Sequence, residues 1–185
     1  MGHDRMRIAI AGAGGIGSNV AVNLVRSGVA SLKIVDFDRV EAGNLNRQFY
    51  FHDQIGRLKV EALALNLRRI RPDLDIETVA VRLDGANCLA LLGDCRLVVE
   101  GLDQAGAKKM LLEALTASGR TVVSACGIAG SDLDGIRVRR LGSCHIVGDF
   151  RSDCVRLPLF AHKVAAVACR MTEIILREGG YHGQQ

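Results

Sequence analysis

The sequence predicts an α/β fold, a mainly parallel sheet with helices on both faces. Short apolar runs without polar alternation recur along the chain, as strands buried on both faces require. Between them lie stretches whose apolar residues repeat at helical spacing, so strand and helix alternate. The first run leads straight into Gly12-Ala-Gly14-Gly15-Ile-Gly17, the glycine turn that joins strand to helix in Rossmann-like folds.

Each element follows in order. Arg7 to Gly12 is the first strand, and the helix opened by Gly14-Gly15 runs to Arg26. Leu32 to Val35 is the second strand, ending at Asp36 and closing a βαβ unit. A polar loop runs from Phe37 to about Gly56. Lys59 to Ile70 carries Val60, Leu63, Ala64, Leu67 and Ile70 on one helical face, and Arg71-Pro72-Asp73 stops it. Ile76 to Val81 is a strand, Ala86 to Leu92 a short helix, and Arg96 to Val99 the next strand. Gln104 to Ser118 is helical and Thr121 to Ala125 is β-branched strand. Ile136 and Val138 alternate with polar neighbours as in an edge strand, antiparallel to the rest. Gly142 to Arg156 is expected as loop. After Pro158, Val164, Val167, Ala168, Met171, Ile174 and Ile175 mark a long amphipathic helix that ends at Gly179-Gly180.

Composition narrows the function classes. With 185 residues, the chain is expected as one domain over 1–185, and 49% apolar against 24% charged residues excludes intrinsic disorder. No stretch approaches the roughly 20 apolar residues of a spanning helix, and Met1 to Arg7 lacks the apolar core of a signal peptide. A cytoplasmic address and no membrane partner are expected. Six cysteines without a Cys-x-x-Cys pair are read as reduced thiols, so no structural zinc is expected. The net charge of +4 is modest, and basic residues are scattered as Arg68-Arg69-Arg71 and Arg137-Arg139-Arg140 without interleaved aromatics, which disfavours a nucleic-acid partner.

The glycine turn lets backbone approach a phosphate, and a helix N-terminus beyond it offers free N–H groups to an anion. Asp36, 19 residues after Gly17, is placed to accept hydrogen bonds from ribose hydroxyls. These residues alone do not separate NAD from ATP. The loop after Asp36 adds Asp38, Asn44, Arg47 and Gln48, followed by Lys59. Basic and amide side chains in such a run suit a triphosphate, whose charge must be held and neutralised. Taken singly, Arg47 and Lys59 also read as solvated surface charges. Asp38 reads equally as a loop-ordering residue or a nucleotide contact, and Asp103 also reads as a helix N-cap.

Together these motifs resemble the ThiF/MoeB and ubiquitin-activating adenylyltransferase family, whose pattern is Gly-x-Gly-Gly-x-Gly, Asp-x-Asp-x-Val, Asn-Leu-x-Arg-Gln, then a lysine before Val-Glu. Gly101-Leu-Asp103-Gln104 and Leu159-Phe-Ala-His-Lys-Val extend the likeness over nearly the whole chain. The resemblance implies ATP at Gly12, Gly14, Gly15 and Gly17, with ribose at Asp36. It further implies triphosphate at Asn44, Arg47, Gln48 and Lys59, and Mg²⁺ held through Asp103. Arg47, Lys59 and Asp103 are then the catalytic set, and Asp38 belongs with the nucleotide-binding residues. The implied reaction adenylylates the C-terminal glycine of a small ubiquitin-like sulfur-carrier protein ending in Gly-Gly, as in thiamine or related cofactor biosynthesis, by a homodimer.

Cys154 lies eight residues before His162, the spacing at which relatives carry a sulfur-handling thiol. It is read here as an incidental loop cysteine, with acyl-disulfide or thioester chemistry as the alternative. Cys126 is expected in the core, and His145 and His162 as structural or surface residues. Relative to longer relatives the chain is read as a short form: the paired Cys-x-x-Cys motifs are missing and Arg5 is the candidate for the arginine that relatives lend to a partner's ATP. An NAD(P)-dependent oxidoreductase and a non-catalytic partner subunit are the competing function classes. The first leaves Asn44, Arg47 and Lys59 unexplained, and the second would have lost them.

Overall fold

A computed structural model describes residues 6–181. Its strands are β1 (Ile8–Ala11), β2 (Ser31–Val35), β3 (Asp75–Val79), β4 (Leu97–Glu100), β5 (Thr121–Ala125), β6 (Arg137–Leu141) and β7 (Cys144–Gly148). The helices are α1 (Gly15–Arg26), α2 (Lys59–Ile70), α3 (Cys88–Leu92), α4 (Ala105–Ala117) and α5 (Ala161–Glu178). One sheet holds all seven strands in the order β3-β2-β1-β4-β5-β7-β6, parallel except for β6.

The inner strands β1, β2, β4 and β5 are central because both of their faces are buried. In β1, Ile8 and Ile10 face a core shared with α1, α2 and α5, while Ala9 and Ala11 face a second core with Cys88 and Leu92 of α3 and Leu111 and Leu115 of α4. All four β1 residues are fully buried. At roughly 1.5–3 kcal/mol for each large buried side chain, these two layers dominate the stability of the fold. Among the described residues no helix is long and apolar enough to cross a membrane.

One stretch expected as loop is a strand. β7 lies between β5 and β6, parallel to the first and antiparallel to the second. Leu141 pairs with Cys144, so Gly142-Ser143 is a two-residue hairpin turn, with Gly142 at φ +59°. Gly-Ser between two short runs is a hairpin signal. The polar character of Arg137–Leu141 and the short run Cys144–Gly148 hid it.

Beyond β7 the chain turns back through Phe150, whose φ of +60° is costly for a bulky residue. Asp149 holds this turn: Oδ1 accepts the N–H groups of Arg151 and Ser152, both at 2.8 Å, and Oδ2 accepts Lys163 Nζ at 2.7 Å. The Lys163 side chain is only 2% exposed and also donates to the Ala129 carbonyl. Burial pushes the Asp149 carboxyl up, but the bonds from Lys163, Ser152 and Arg151 outweigh it and hold the group well below the usual carboxylate range. A carboxyl depressed on folding stabilises the native state above its unfolded value of about 4 and loses that contribution as pH falls towards its folded value. Asp149→Asn strands a buried ammonium and is expected to cost on the order of 3 kcal/mol at pH 7. Urea titrations should show the gap to wild type narrowing below about pH 4.

Candidate nucleotide site

The site is assembled at the carboxyl edge of β1, β2 and β4, where β1 and β4 pair side by side in the middle of the sheet. The glycines of the turn have separate tasks. A Cβ on Gly17 would lie 1.8 Å from the Gly12 carbonyl oxygen, and one on Gly12, at φ +92°, would lie 2.8 Å from the Gly101 carbonyl oxygen. Backbone packing alone requires those two. Gly14 differs: a Cβ there would have nothing nearer than Gln48 Nε2 at 3.9 Å. The space above Gly14 is left open by the fold. No side chain caps α1 at Gly14, so the first-turn N–H groups have no intrahelical partner and remain for an anion.

Asp36 follows β2, and its carboxylate accepts the Ala13 N–H on Oδ2 at 2.6 Å and the Asp38 N–H on Oδ1 at 2.7 Å. A carboxylate oxygen accepts two bonds, so each keeps one lone pair for a ligand. Burial pushes the Asp36 carboxyl up; the two N–H bonds and the charge of Lys59 resist that shift. Asp38 orders the loop: its Oδ2 receives Lys59 Nζ at 2.9 Å and its carbonyl receives the Lys59 N–H. Lys59, the first residue of α2, is 7% exposed and is not a solvated surface charge.

Residues 42–48 fold back onto α1. Asn44 accepts the Glu41 N–H on its side chain and the Arg47 and Gln48 N–H groups on its carbonyl. The Arg47 guanidinium donates to the Gly43 carbonyl and to Asn46 Oδ1, and the Gln48 Oε1 atom is buried without a partner. Three residues that sequence reading did not single out fasten this loop. Asn19 Nδ2 donates to the Arg47 carbonyl at 2.8 Å, Ser18 Oγ accepts the Phe49 N–H, and Tyr50 Oη donates to the Ala13 carbonyl at 2.7 Å. Burial pushes the Tyr50 phenol far up, so it stays a donor. Ser18, a buried polar residue directly after Gly17, is the one signal that could have pointed to this. An open recess of about 360 Å³ lies here against α5, lined by Asn19, Arg47, Gln48, Phe49, Ala161 and His162 among others. It takes in only Arg47 and Gln48 of the expected residues; Asp36, Lys59 and Asp103 lie outside it.

Opposite the glycine turn, Gly101 donates its N–H to the Ala11 carbonyl and Asp103 follows, exposed. The N-cap of α4 is Gln104 and makes no side-chain cap, so Asp103 is not the N-cap. Among the described residues the Asp103 carboxylate has no hydrogen bond or ion pair, and two free anionic oxygens suit a hard cation. The structure thus brings Gly12, Gly14, Gly15, Gly17, Asp36, Asp38, Asn44, Arg47, Gln48, Lys59 and Asp103 to one edge of the fold.

Cys126 does not join the core as expected: it follows the last residue of β5, past the helical cover, and is exposed. Cys154 is exposed in the loop that Asp149 and Lys163 hold. His162 is exposed beside the Ser131 carbonyl at 2.8 Å, and His145 is buried in β7. Arg5 lies outside the described residues. Arg7, just before β1, pairs with Asp75 and Glu77 at the amino edge of the sheet, remote from the site.

The model of the ThiF family matches residues 3–173. Adenylyltransferase and sulfurtransferase UBA4 of Candida glabrata is 31% identical over 143 residues, 76% of this chain and 33% of the relative. Ubiquitin-like modifier-activating enzyme 5 of Drosophila ananassae is 46% identical over 79 residues, 41% of this chain and 20% of the relative. The chain therefore spans a third or less of the length of these relatives. Among solved structures, Escherichia coli tRNA N6-threonylcarbamoyladenosine dehydratase TcdA in complex with AMP superposes with a TM-score of 0.87 at 20% identity, over 95% of this chain and 86% of that one. Escherichia coli MccB with ATP superposes with a TM-score of 0.75 at 19% identity, over 95% and 57%. At those identities the two structures bear on the fold, and they share the mainly parallel, Rossmann-like sheet described above. With a family model covering nearly the whole chain and its motif residues gathered at one edge of that sheet, this protein belongs to the ThiF family.

Proposed function

We propose that the protein is an ATP-dependent adenylyltransferase that activates the C-terminal glycine of a small ubiquitin-like sulfur-carrier protein, working as a homodimer. The observation that carries this reading is the room above Gly14 at an uncapped helix N-terminus, bordered only by the Gln48 amide, with the Arg47 side chain beside the neighbouring Gly15. The names of the relatives agree: UBA4 is an adenylyltransferase, and TcdA has been solved with ATP.

In this reading the first-turn N–H groups and Gln48 bind phosphate, Asp36 binds ribose through its spare lone pairs, and Asp103 holds Mg²⁺. The metal supplies charge neutralisation for the phosphates. A carboxylate is already a nucleophile, so the carrier terminus needs no general base. Its oxygen attacks the α-phosphorus, the bond to the bridging oxygen breaks, and pyrophosphate leaves with the electron pair. The barrier lies in bringing two anions together, and Arg47 and Lys59 lower it by placing fixed positive charge where negative charge builds up.

Pyrophosphate exchange with ATP and candidate carriers ending in Gly-Gly tests the reaction. Exchange is expected with a cognate carrier and not with one lacking the terminal glycine; absence of exchange across carriers would overturn the reading. Calorimetry should show ATP binding and no NAD binding, and tight NAD binding alone would favour an oxidoreductase. Cys154→Ala is expected to leave exchange within about twofold of wild type, since any sulfur step follows adenylylation and an exposed loop thiol carries no packing.

A further inference from the structure

One buried carboxylate at the site has no part in the chemistry just described. Glu100 ends β4 in the centre of the sheet and is 0% exposed. Its Oε1 accepts the Leu102 N–H at 2.7 Å. Its Oε2 accepts Ser124 Oγ of β5 at 2.6 Å and the ammonium of Lys108 of α4. Desolvating a carboxylate costs several kcal/mol, and apolar side chains would hold β4, β5 and α4 together as well or better. What an apolar side chain cannot do is hold a backbone N–H of the crossing that follows. That crossing begins with Gly101, packed against Gly12, and leads through Leu102 to Asp103.

We propose that Glu100 is a positioning residue for the nucleotide site: anchored by Lys108 and Ser124, it holds the Leu102 N–H and so presents the Asp103 carboxylate towards the bound metal–nucleotide. The inference rests on the adenylyltransferase reading. Glu100 itself touches neither nucleotide nor metal.

Glu100→Gln keeps the size of the side chain and upsets its pairing. If the amide oxygen stays on the Leu102 N–H, the NH₂ group faces the Lys108 ammonium, donor against donor. If the amide turns over, the Leu102 N–H loses its acceptor. The full chain is compared as wild type, Glu100→Gln, Asp103→Asn and the double variant. Hydrogen exchange at the Leu102 amide without nucleotide should quicken at least about 10-fold in Glu100→Gln, the scale of losing a bond to a charged acceptor.

ATP titrations with and without Mg²⁺ supply the second readout. Affinity in EDTA should stay within about twofold, the gain on adding Mg²⁺ should shrink about 10-fold as in Asp103→Asn, and the double variant should be no worse than Asp103→Asn. Equal weakening with and without Mg²⁺, additivity in the double variant, or an unchanged Mg²⁺ gain would each overturn the proposal. Should Glu100→Gln not fold, Ser124→Ala removes one anchor and must show the same pattern at smaller amplitude. A wild type whose ATP binding ignores Mg²⁺ would sink the metal assignment itself, a result separate from any in the variants.

Discussion

Lys59→Ala and Arg47→Ala are each expected to lower pyrophosphate exchange about 100- to 1000-fold, the usual scale for removing one preorganised donor from an enzyme site. The two losses should differ in kind. Lys59 is nearly buried and its ammonium is already oriented by Asp38 at 2.9 Å. Its charge is preorganised, so its removal should fall on kcat with little effect on the fold; Asp38, left unpaired, has a side chain 43% exposed and can be rehydrated. Arg47 is tied to its own loop through Gly43 and Asn46, so it also shapes residues 43–48, and Arg47→Ala should raise the KM for ATP as well. Arg47→Lys should recover little of the loss, because the point charge of an ammonium lacks the planar fork with which a guanidinium grips a phosphate through two parallel N–H bonds. Steady-state exchange with circular dichroism on the same samples checks both. Exchange surviving at near wild-type rate in both alanine variants would remove this loop from the reaction.

Gly17→Ala and Gly14→Ala are expected to separate folding from binding within four residues of sequence. The methyl group on Gly17 would sit 1.8 Å from the Gly12 carbonyl oxygen, which is backbone and cannot swing aside. The turn must shift, at a cost of about 1–3 kcal/mol or more on the general scale of overpacking, about 5-fold to 150-fold in the folding equilibrium. A methyl on Gly14 meets nothing closer than 3.9 Å and sits on extended backbone at φ −80°, so stability should move by less than about 1 kcal/mol. It does, however, fill the space a phosphate would enter, and ATP affinity should fall at least about 10-fold, or 1.4 kcal/mol. Urea denaturation and calorimetry on the two variants decide this. A Gly14→Ala variant that binds ATP like wild type would mean the open space is not the phosphate site.

Residues differ in how much local signal they carry. Strands buried on both faces and helices with an apolar stripe announce themselves through their patterns, and so β1, β2, β4, β5, α1, α2, α4 and α5 were legible; the edge strand β3 was legible through its place after the helix stop at Arg71-Pro72-Asp73. β7 was not, because its five residues lie among glycines and charges; its place between β5 and β6 comes from the hairpin at Gly142-Ser143 and the pairing with Val122–Ala125. Cys126 was misplaced for a related reason: a residue one step past a buried strand reads as strand until the end of the helical cover is known.

At the site, the glycine turn, Asp36 and the run from Asn44 to Lys59 are legible in the chain alone, since each is a residue type in a spacing with a direct chemical meaning. Which glycines serve packing and which leaves room for a ligand depends on the folded backbone around them. The same holds for the pairing of Asp38 with Lys59 and for the fastening of the loop by Ser18, Asn19 and Tyr50. Glu100 belongs with these. A lone acid at a strand end carries no periodicity or motif, and its use depends on partners 8 and 24 residues away that only the packing of β4 against β5 and α4 brings together.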